Sequence, residues 1–174
     1  MAVIAVSGLH GAGKTTVAKE VACRFGLRYI CAGELFRGMA AERGMGLEDF
    51  NRYAETHPEI DRELDRRTVE EAGKGNAVVD ARLAGWLVDA DFKILLIAPF
   101  EVRVERISKR EGRQKEEVLR ETKEREESEA RRFRELYGID VNDFSVFDLV
   151  LNTGRLSEEQ TKQIIVSAVE KILR

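Results

Sequence analysis

The chain has 174 residues, 43% hydrophobic and 35% charged, with a formal net charge of −3. That length suits one compact domain, and the near balance of signs argues against broad, non-specific nucleic-acid binding. No apolar run approaches the ~20 residues that cross a bilayer, no signal-peptide pattern opens the chain, and Cys23 and Cys31 form no metal-ligand spacing, so a reducing, cytoplasmic setting is expected.

Short apolar runs alternate with helical periodicity along the chain. Residues 2–7 predict a first strand. Residues 15–25 predict a helix carrying Val17, Ala18, Val21, Ala22 and Phe25 on one side, stopped by Gly26. A second strand is expected at 27–32, then helices over 33–43, 47–55 and 58–72, the last with Pro58 in its first turn. Gly73-Lys74-Gly75 breaks the chain before a third strand at 77–80. A fourth strand at 92–97 ends before Pro99, and helices over 101–110 and 115–137 flank the break Glu111-Gly112-Arg113. A fifth short strand at 148–151 and an amphipathic helix over 157–173 complete the chain. Strands that alternate with helices predict an α/β fold, a parallel five-stranded sheet with helices on both faces, in a single domain spanning 1–174.

After the first strand stands Gly8-Leu9-His10-Gly11-Ala12-Gly13-Lys14-Thr15, which fits G-x-x-x-x-G-K-[ST] and is followed by Thr16. Glycines allow a tight wrap that points successive N–H groups at phosphate oxygens, and the helix opening behind them adds its N-terminal dipole. Lys14 would reach the β- and γ-phosphates, and the Thr15 hydroxyl would sit near Mg²⁺. A nucleoside triphosphate, ATP, is the expected ligand, because the chain lacks the N-K-x-D element by which a GTPase reads guanine. Asp80, ending the third strand, is the expected acidic partner of the Mg²⁺ shell. His10, at an unconstrained loop position, reads as a surface filler.

Arginines recur where strand and helix ends converge. Arg37 lies one turn into the helix after the second strand, Arg82 just after the third, and Arg106 and Arg110 are spaced i, i+4. Arg125, Glu129 and Arg132 fall at i, i+4 and i+7, so all three project from one helix face. Guanidinium forks hold phosphate oxygens in fixed geometry, as a second bound phosphate requires. Residues 115–137 are also crowded with Glu and Arg, and pairs such as Glu121–Arg125 would stabilise any exposed helix. Arg113 could close over a nucleotide or cap a turn, while Arg131 and Arg134 read as solvent-facing.

The phosphate loop, "YICAGELFR", "VVDARLAGW" and "EREESEARRFRELYGIDVNDFSVFDLVLNT" together closely resemble the archaeal-type cytidylate kinases, a branch of the P-loop nucleoside monophosphate kinases. The resemblance runs over essentially the whole chain. It implies a monophosphate-binding flap at about 33–72, a mobile lid at about 106–132, and transfer of the ATP γ-phosphate to CMP or dCMP with Mg²⁺. It places Gly33 and Arg37 in the element that receives the monophosphate, makes Arg82 a second clamp on the acceptor, and gives Asp80 the metal's water shell. Arg125, Glu129 and Arg132 match an Arg–acid–Arg set that contacts the acceptor or the transferring group. Arg106 and Arg110 resemble lid-base arginines that engage phosphates on closure.

Lys14 stands where many members carry threonine, and Ala81 where a glycine is usual. An adenylate or broad-specificity kinase, or an adenylate-kinase-like ATPase serving ribosome assembly, uses the same loop. No nucleic acid or membrane is an expected partner, and the family favours a monomer. For reading the acceptor base the residues named are Asp61, Arg62, Asp65 and Arg66, whose i, i+4 charges also suit a solvated face.

Overall fold

In the computed structural model, which describes residues 1–173, β1 (Val3–Gly8), β2 (Arg28–Cys31), β3 (Ala77–Asp80), β4 (Phe92–Ile97) and β5 (Leu149–Asn152) form one sheet. Every pairing is parallel, in the order β2-β3-β1-β4-β5. The helices are α1 (Lys14–Phe25), α2 (Ala32–Glu42), α3 (Leu47–Glu55), α4 (Pro58–Gly73), α5 (Ala84–Leu87), α6 (Phe100–Glu111), α7 (Lys115–Tyr137) and α8 (Glu158–Ile172). The expected α/β class and parallel sheet are those observed. Element ends move by a residue or two, and the single turn of α5 was not expected. Four residues including Gly85 are too short to leave a helical period.

Two cores lie on opposite faces of the sheet because side chains alternate along a strand. Ile4 and Val6 of β1 pack with Val17, Ala18 and Val21 of α1 and with Ile165 and Val169 of α8. Val3 and Ala5 face the other way, against Ala72, Val79, Ala84 and Val88. Each such Val or Ile, fully buried, contributes about 1.5–3 kcal/mol relative to exposure. Met39, Ala40, Phe50, Ala54 and Ile60 make a separate small core among α2, α3 and α4. A fourth cluster, Val104, Ile107 and Val118, joins α6 to α7.

The strand order reverses at β1: the chain passes to β3 and β2 on one side and to β4 and β5 on the other. A crevice opens at such a switch point beyond the carboxyl ends of the strands, and it is the usual ligand position in open α/β sheets. The loop 8–14 leaves β1 at that point.

Candidate active site

The loop after β1 is wrapped tightly. Gly11 takes φ +83° and Gly13 φ +100°, in the left-handed region that favours glycine. A Cβ on Gly11 would also lie 2.8 Å from the backbone oxygen of Arg103, so the loop is pressed against the first turn of α6. The Ala12 N–H closes the turn on the Leu9 carbonyl at 3.1 Å. Helix α1 then begins at Lys14 with no side-chain cap, which leaves its first N–H groups for a ligand.

Lys14 sits where several charges are felt together. Burial pushes its ammonium down from the usual lysine range; Asp80 and Glu129 pull it back up, while Arg82 and Arg125 push it further down. Beside it, the Thr15 hydroxyl donates to Asp80 Oδ2 at 2.8 Å, and the Tyr29 hydroxyl donates to the same oxygen at 2.8 Å. Asp80 is itself buried at the end of β3. Thr15 and Asp80, each expected near Mg²⁺, are thus in direct contact, and Tyr29 joins them. Among the described residues no group of three or more His, Cys, Asp or Glu side chains could hold a metal alone. Two hard oxygen groups beside a phosphate loop suit Mg²⁺, which keeps water and substrate phosphate in most of its positions.

The back of the loop is tethered by side chains. Arg103 Nη1 donates to the His10 carbonyl at 3.2 Å, Arg106 Nη1 to the Gly11 carbonyl at 3.3 Å, and the Thr153 hydroxyl to the Ala12 carbonyl at 3.0 Å. Arg106 also bonds Thr153 through its hydroxyl at 2.9 Å and its carbonyl at 2.6 Å. Its guanidinium, expected on a phosphate, is thus spent on the loop's own carbonyl and on Thr153. Between α1, Arg106 and the start of α8 lies a cavity of about 160 Å³, lined by Gly13, Thr16, Thr153, Leu156 and Thr161 among others. A capping box, Ser157 with Gln160, fixes the helix start beside it.

A second group of arginines lies across the crevice. Glu129 on α7 accepts from Arg125 Nε at 2.9 Å and stands 3.8 Å from Arg82 Nε, so a single carboxylate joins Arg82, an expected clamp, to Arg125 of the expected Arg–acid–Arg set. Arg82 is half-buried, and its Nε is itself buried with no hydrogen-bond partner. Burial pushes its guanidinium below the usual arginine range, with Glu129 and then Glu126 opposing; an arginine stays a cation in a protein. Arg37 projects from α2, exposed and in no ion pair among the described residues, 3.7 Å from where a Cβ on Gly33 would lie.

Arg132 departs from its trio. It pairs with Asp61 of α4, and its Nε is buried without a partner. Four residues on, Asp65 accepts from the Tyr137 hydroxyl at 2.7 Å, and burial pushes its carboxyl up to about 6. Asp61 and Asp65 therefore face α7 rather than solvent, whereas Arg66 pairs with Glu63 and Glu70 on the exposed side. Arg113 is surrounded by Glu111, Glu117 and Glu121, and its carbonyl accepts from Ser108, so it caps the turn between α6 and α7. Glu121 thereby binds Arg113 rather than the expected Arg125.

His10 is not a surface filler. It is half-buried, and Arg110 Nη2 approaches its Nε2 at 3.4 Å. Burial first, then Arg125, Lys14 and Arg110, hold the imidazole down at about 4, so the ring is neutral at pH 7. An unfolded chain binds that proton near 6.5 and the native state does not, so stability is lost as pH falls from 6.5 through 4. His10→Gln is expected to remove this part of the acid loss, read as melting temperature from pH 7 to pH 4. An unchanged slope contradicts the assignment.

Arg103, Glu126, Thr153 and Tyr29 were not singled out in the sequence. Arg103 and Glu126 sit in stretches that read as solvated charge. A weak signal existed for Thr153, a hydroxyl at the carboxyl end of the last strand.

The chain is similar in sequence and in fold to known kinases. Residues 3–155 match the model of the cytidylate kinase-like family. A cytidylate kinase of Pyrococcus horikoshii is 51% identical over 171 residues, which cover 98% of this chain and 89% of that protein. Among solved structures, an uncharacterized protein from Eubacterium ventriosum superposes with a TM-score of 0.73 at 14% identity, covering 98% and 99% of the two chains. A shikimate kinase from Bacteroides thetaiotaomicron gives 0.62 at 16%, covering 99% and 98%, a likeness of fold alone. A family match over most of the chain, on a parallel sheet with a phosphate loop at its switch point, places this protein in the cytidylate kinase-like family.

Proposed function

We propose that the protein transfers the γ-phosphate of ATP to CMP or dCMP, giving ADP and CDP or dCDP. The observation that supports this reading best is the meeting of two cationic groups across one crevice. Lys14 on the phosphate loop feels Arg82 and Arg125 directly, and Arg37 stands uncommitted on the flap side. One group suits a donor triphosphate and the other an acceptor monophosphate.

The donor phosphates lie in the loop 8–15, with the adenine ring in the cavity beside Thr16, Arg106 and Leu156. The Thr15 hydroxyl and, by way of water, Asp80 would hold Mg²⁺, which would supply charge neutralisation for the donor phosphates. Arg37 and Arg82 clamp the acceptor phosphate beside Gly33, Arg125 and Arg132 approach the transferring group, and Glu129 orients two of these cations. The acceptor phosphate is already ionised near neutral pH, so no strong base is needed. Catalysis is positioning plus electrostatic stabilisation. Closure of the flap at about 33–72 and of the lid at about 106–132, with Arg110 moving in, excludes water and limits hydrolysis. The proposed setting is a cytoplasmic monomer; no helix among the described residues is long and apolar enough to cross a membrane.

The test is ADP release from MgATP with CMP, dCMP, UMP, AMP or GMP, beside a control without acceptor. Strong preference for CMP and dCMP is the expected result. Preference for AMP makes the protein an adenylate kinase, and equal release without any acceptor makes it a partner-dependent ATPase.

A further inference from the structure

The three tethers behind the phosphate loop form a consecutive series: Arg103 on the His10 carbonyl, Arg106 on the Gly11 carbonyl, Thr153 on the Ala12 carbonyl. In a trans peptide the carbonyl of one residue and the N–H of the next point in opposite directions, and among the described residues there is no cis peptide. Holding these carbonyls toward α6 and the end of β5 turns the N–H groups of Gly11 and Gly13 to the crevice side, while the Ala12 N–H stays on Leu9.

Arg103 is placed to do more than hold one carbonyl. It is 4% exposed, a rare position for an arginine, and its Nε donates to the Ala98 carbonyl at 3.1 Å. Its two terminal nitrogens fork onto Glu126 of α7, Nη1 to Oε1 and Nη2 to Oε2 at 3.3 Å. Glu126 lies one residue after Arg125 and three before Glu129, and it acts electrostatically on Arg82. The helix that carries the second group of arginines is thereby fastened to the phosphate loop through one ion pair, its arginine buried and its carboxylate half-buried.

We propose that Arg103, Glu126 and Thr153 are positioning residues of the phosphate loop, which set its amide groups toward the donor phosphates and tie that orientation to α7. The proposal rests on the reading of the loop as a triphosphate site and is indifferent to which acceptor is used. The loop needs such a frame because φ values of +83° and +100° are reached by glycine at little cost but are not enforced by it. A free glycine loop would lose conformational entropy on each binding event; a tethered one has already lost it.

Thr153 also lines the base cavity, so the experiment separates the two parts of the ligand. Inorganic tripolyphosphate with Mg²⁺ and, separately, adenosine are titrated calorimetrically against the full chain and its Thr153→Val, Thr153→Ser and Arg103→Met/Glu126→Met variants. Thr153→Val is expected to weaken tripolyphosphate about tenfold and adenosine by clearly less, because the hydroxyl is engaged by the Ala12 carbonyl and Arg106, and Thr153→Ser to restore tripolyphosphate binding. The double variant removes the pair without stranding a charge. It is expected to weaken tripolyphosphate similarly and to leave CMP affinity within about twofold, because Arg37 and Arg82 remain. Where the double variant fails to fold, the Thr153 pair decides the matter. Tripolyphosphate binding unchanged in Thr153→Val, or no better in Thr153→Ser, overturns the proposal. Failure of the unaltered protein to bind tripolyphosphate overturns the triphosphate reading itself.

Discussion

Lys14→Met is expected to lower kcat by about 10³-fold while leaving the protein folded, an effect on the scale of removing one principal charge contact to a transferring phosphoryl group. The ammonium is held below its ordinary range by burial and by Arg82 and Arg125, and Asp80 and Glu129 offset this. No hydrogen bond or ion pair anchors it among the described residues. It is therefore a partly desolvated cation whose most favourable partner is an anionic phosphate. Methionine keeps the apolar stem that lies against Gly8, where a Cβ would already be 3.1 Å from Lys14 Cγ. Relief of a buried charge leaves stability equal or slightly raised. Single-turnover rates with CMP, beside a thermal melt, measure both parts. Near-normal turnover would remove Lys14 from the site.

Arg132→Met is expected to cost both activity and stability, and the two can be separated. The guanidinium pairs with Asp61, whose carboxyl is pushed upward chiefly by burial and drawn down by Arg132. Without Arg132 that carboxylate stands half-buried and unpaired, against a background of Asp65 four residues on. Stranding a fully buried charge costs about 3–5 kcal/mol, and partial solvent access reduces this to the lower end or below. The double variant Arg132→Met/Asp61→Asn removes the stranded charge, so its melting temperature is expected to recover. Its kcat/KM with CMP is expected to stay depressed by 10²-fold or more, in line with removing a guanidinium that meets the transferring group. Recovery of activity along with stability would make Arg132 a structural partner of Asp61 alone. Helices α4 and α7 share this ion pair and the Asp65–Tyr137 hydrogen bond. An acceptor phosphate that draws Arg132 inward must compete with Asp61 for it.

Much of the site was legible in the sequence for a definite reason. The residues of the phosphate loop are consecutive, and glycine, lysine and threonine there each answer a local requirement: a left-handed φ, a cation, a hydroxyl at a helix start. Asp80 and Arg82 were readable because they follow a buried strand, and strand ends in parallel sheets converge on one edge. Arg37 and the spacing of Arg125 with Glu129 followed from helix geometry. Pair partners were less legible. Glu121 could reach Arg125 by spacing, yet it goes to Arg113 across the turn. Arg106, expected on phosphate, bonds Thr153, which lies 47 residues further on.

Order of elements, fold class, phosphate loop and strand-end acid are local matters, set by side-chain period and by residue types a few positions apart, so the sequence alone determined them. Tertiary structure alone decided which charges pair within the protein and which are left uncommitted. Arg103 and Glu126 look in the sequence like any other charges on exposed helices. Arg103 is buried and Glu126 half-buried because α6 packs on the loop and α7 packs on α6. The proton affinity of His10 is lowered for the same reason, since burial, Arg125 and Arg110 from distant positions, and Lys14 four residues on act on it together. Electrostatic work depends on distance and on exclusion of water, and neither quantity exists until the chain has closed on itself.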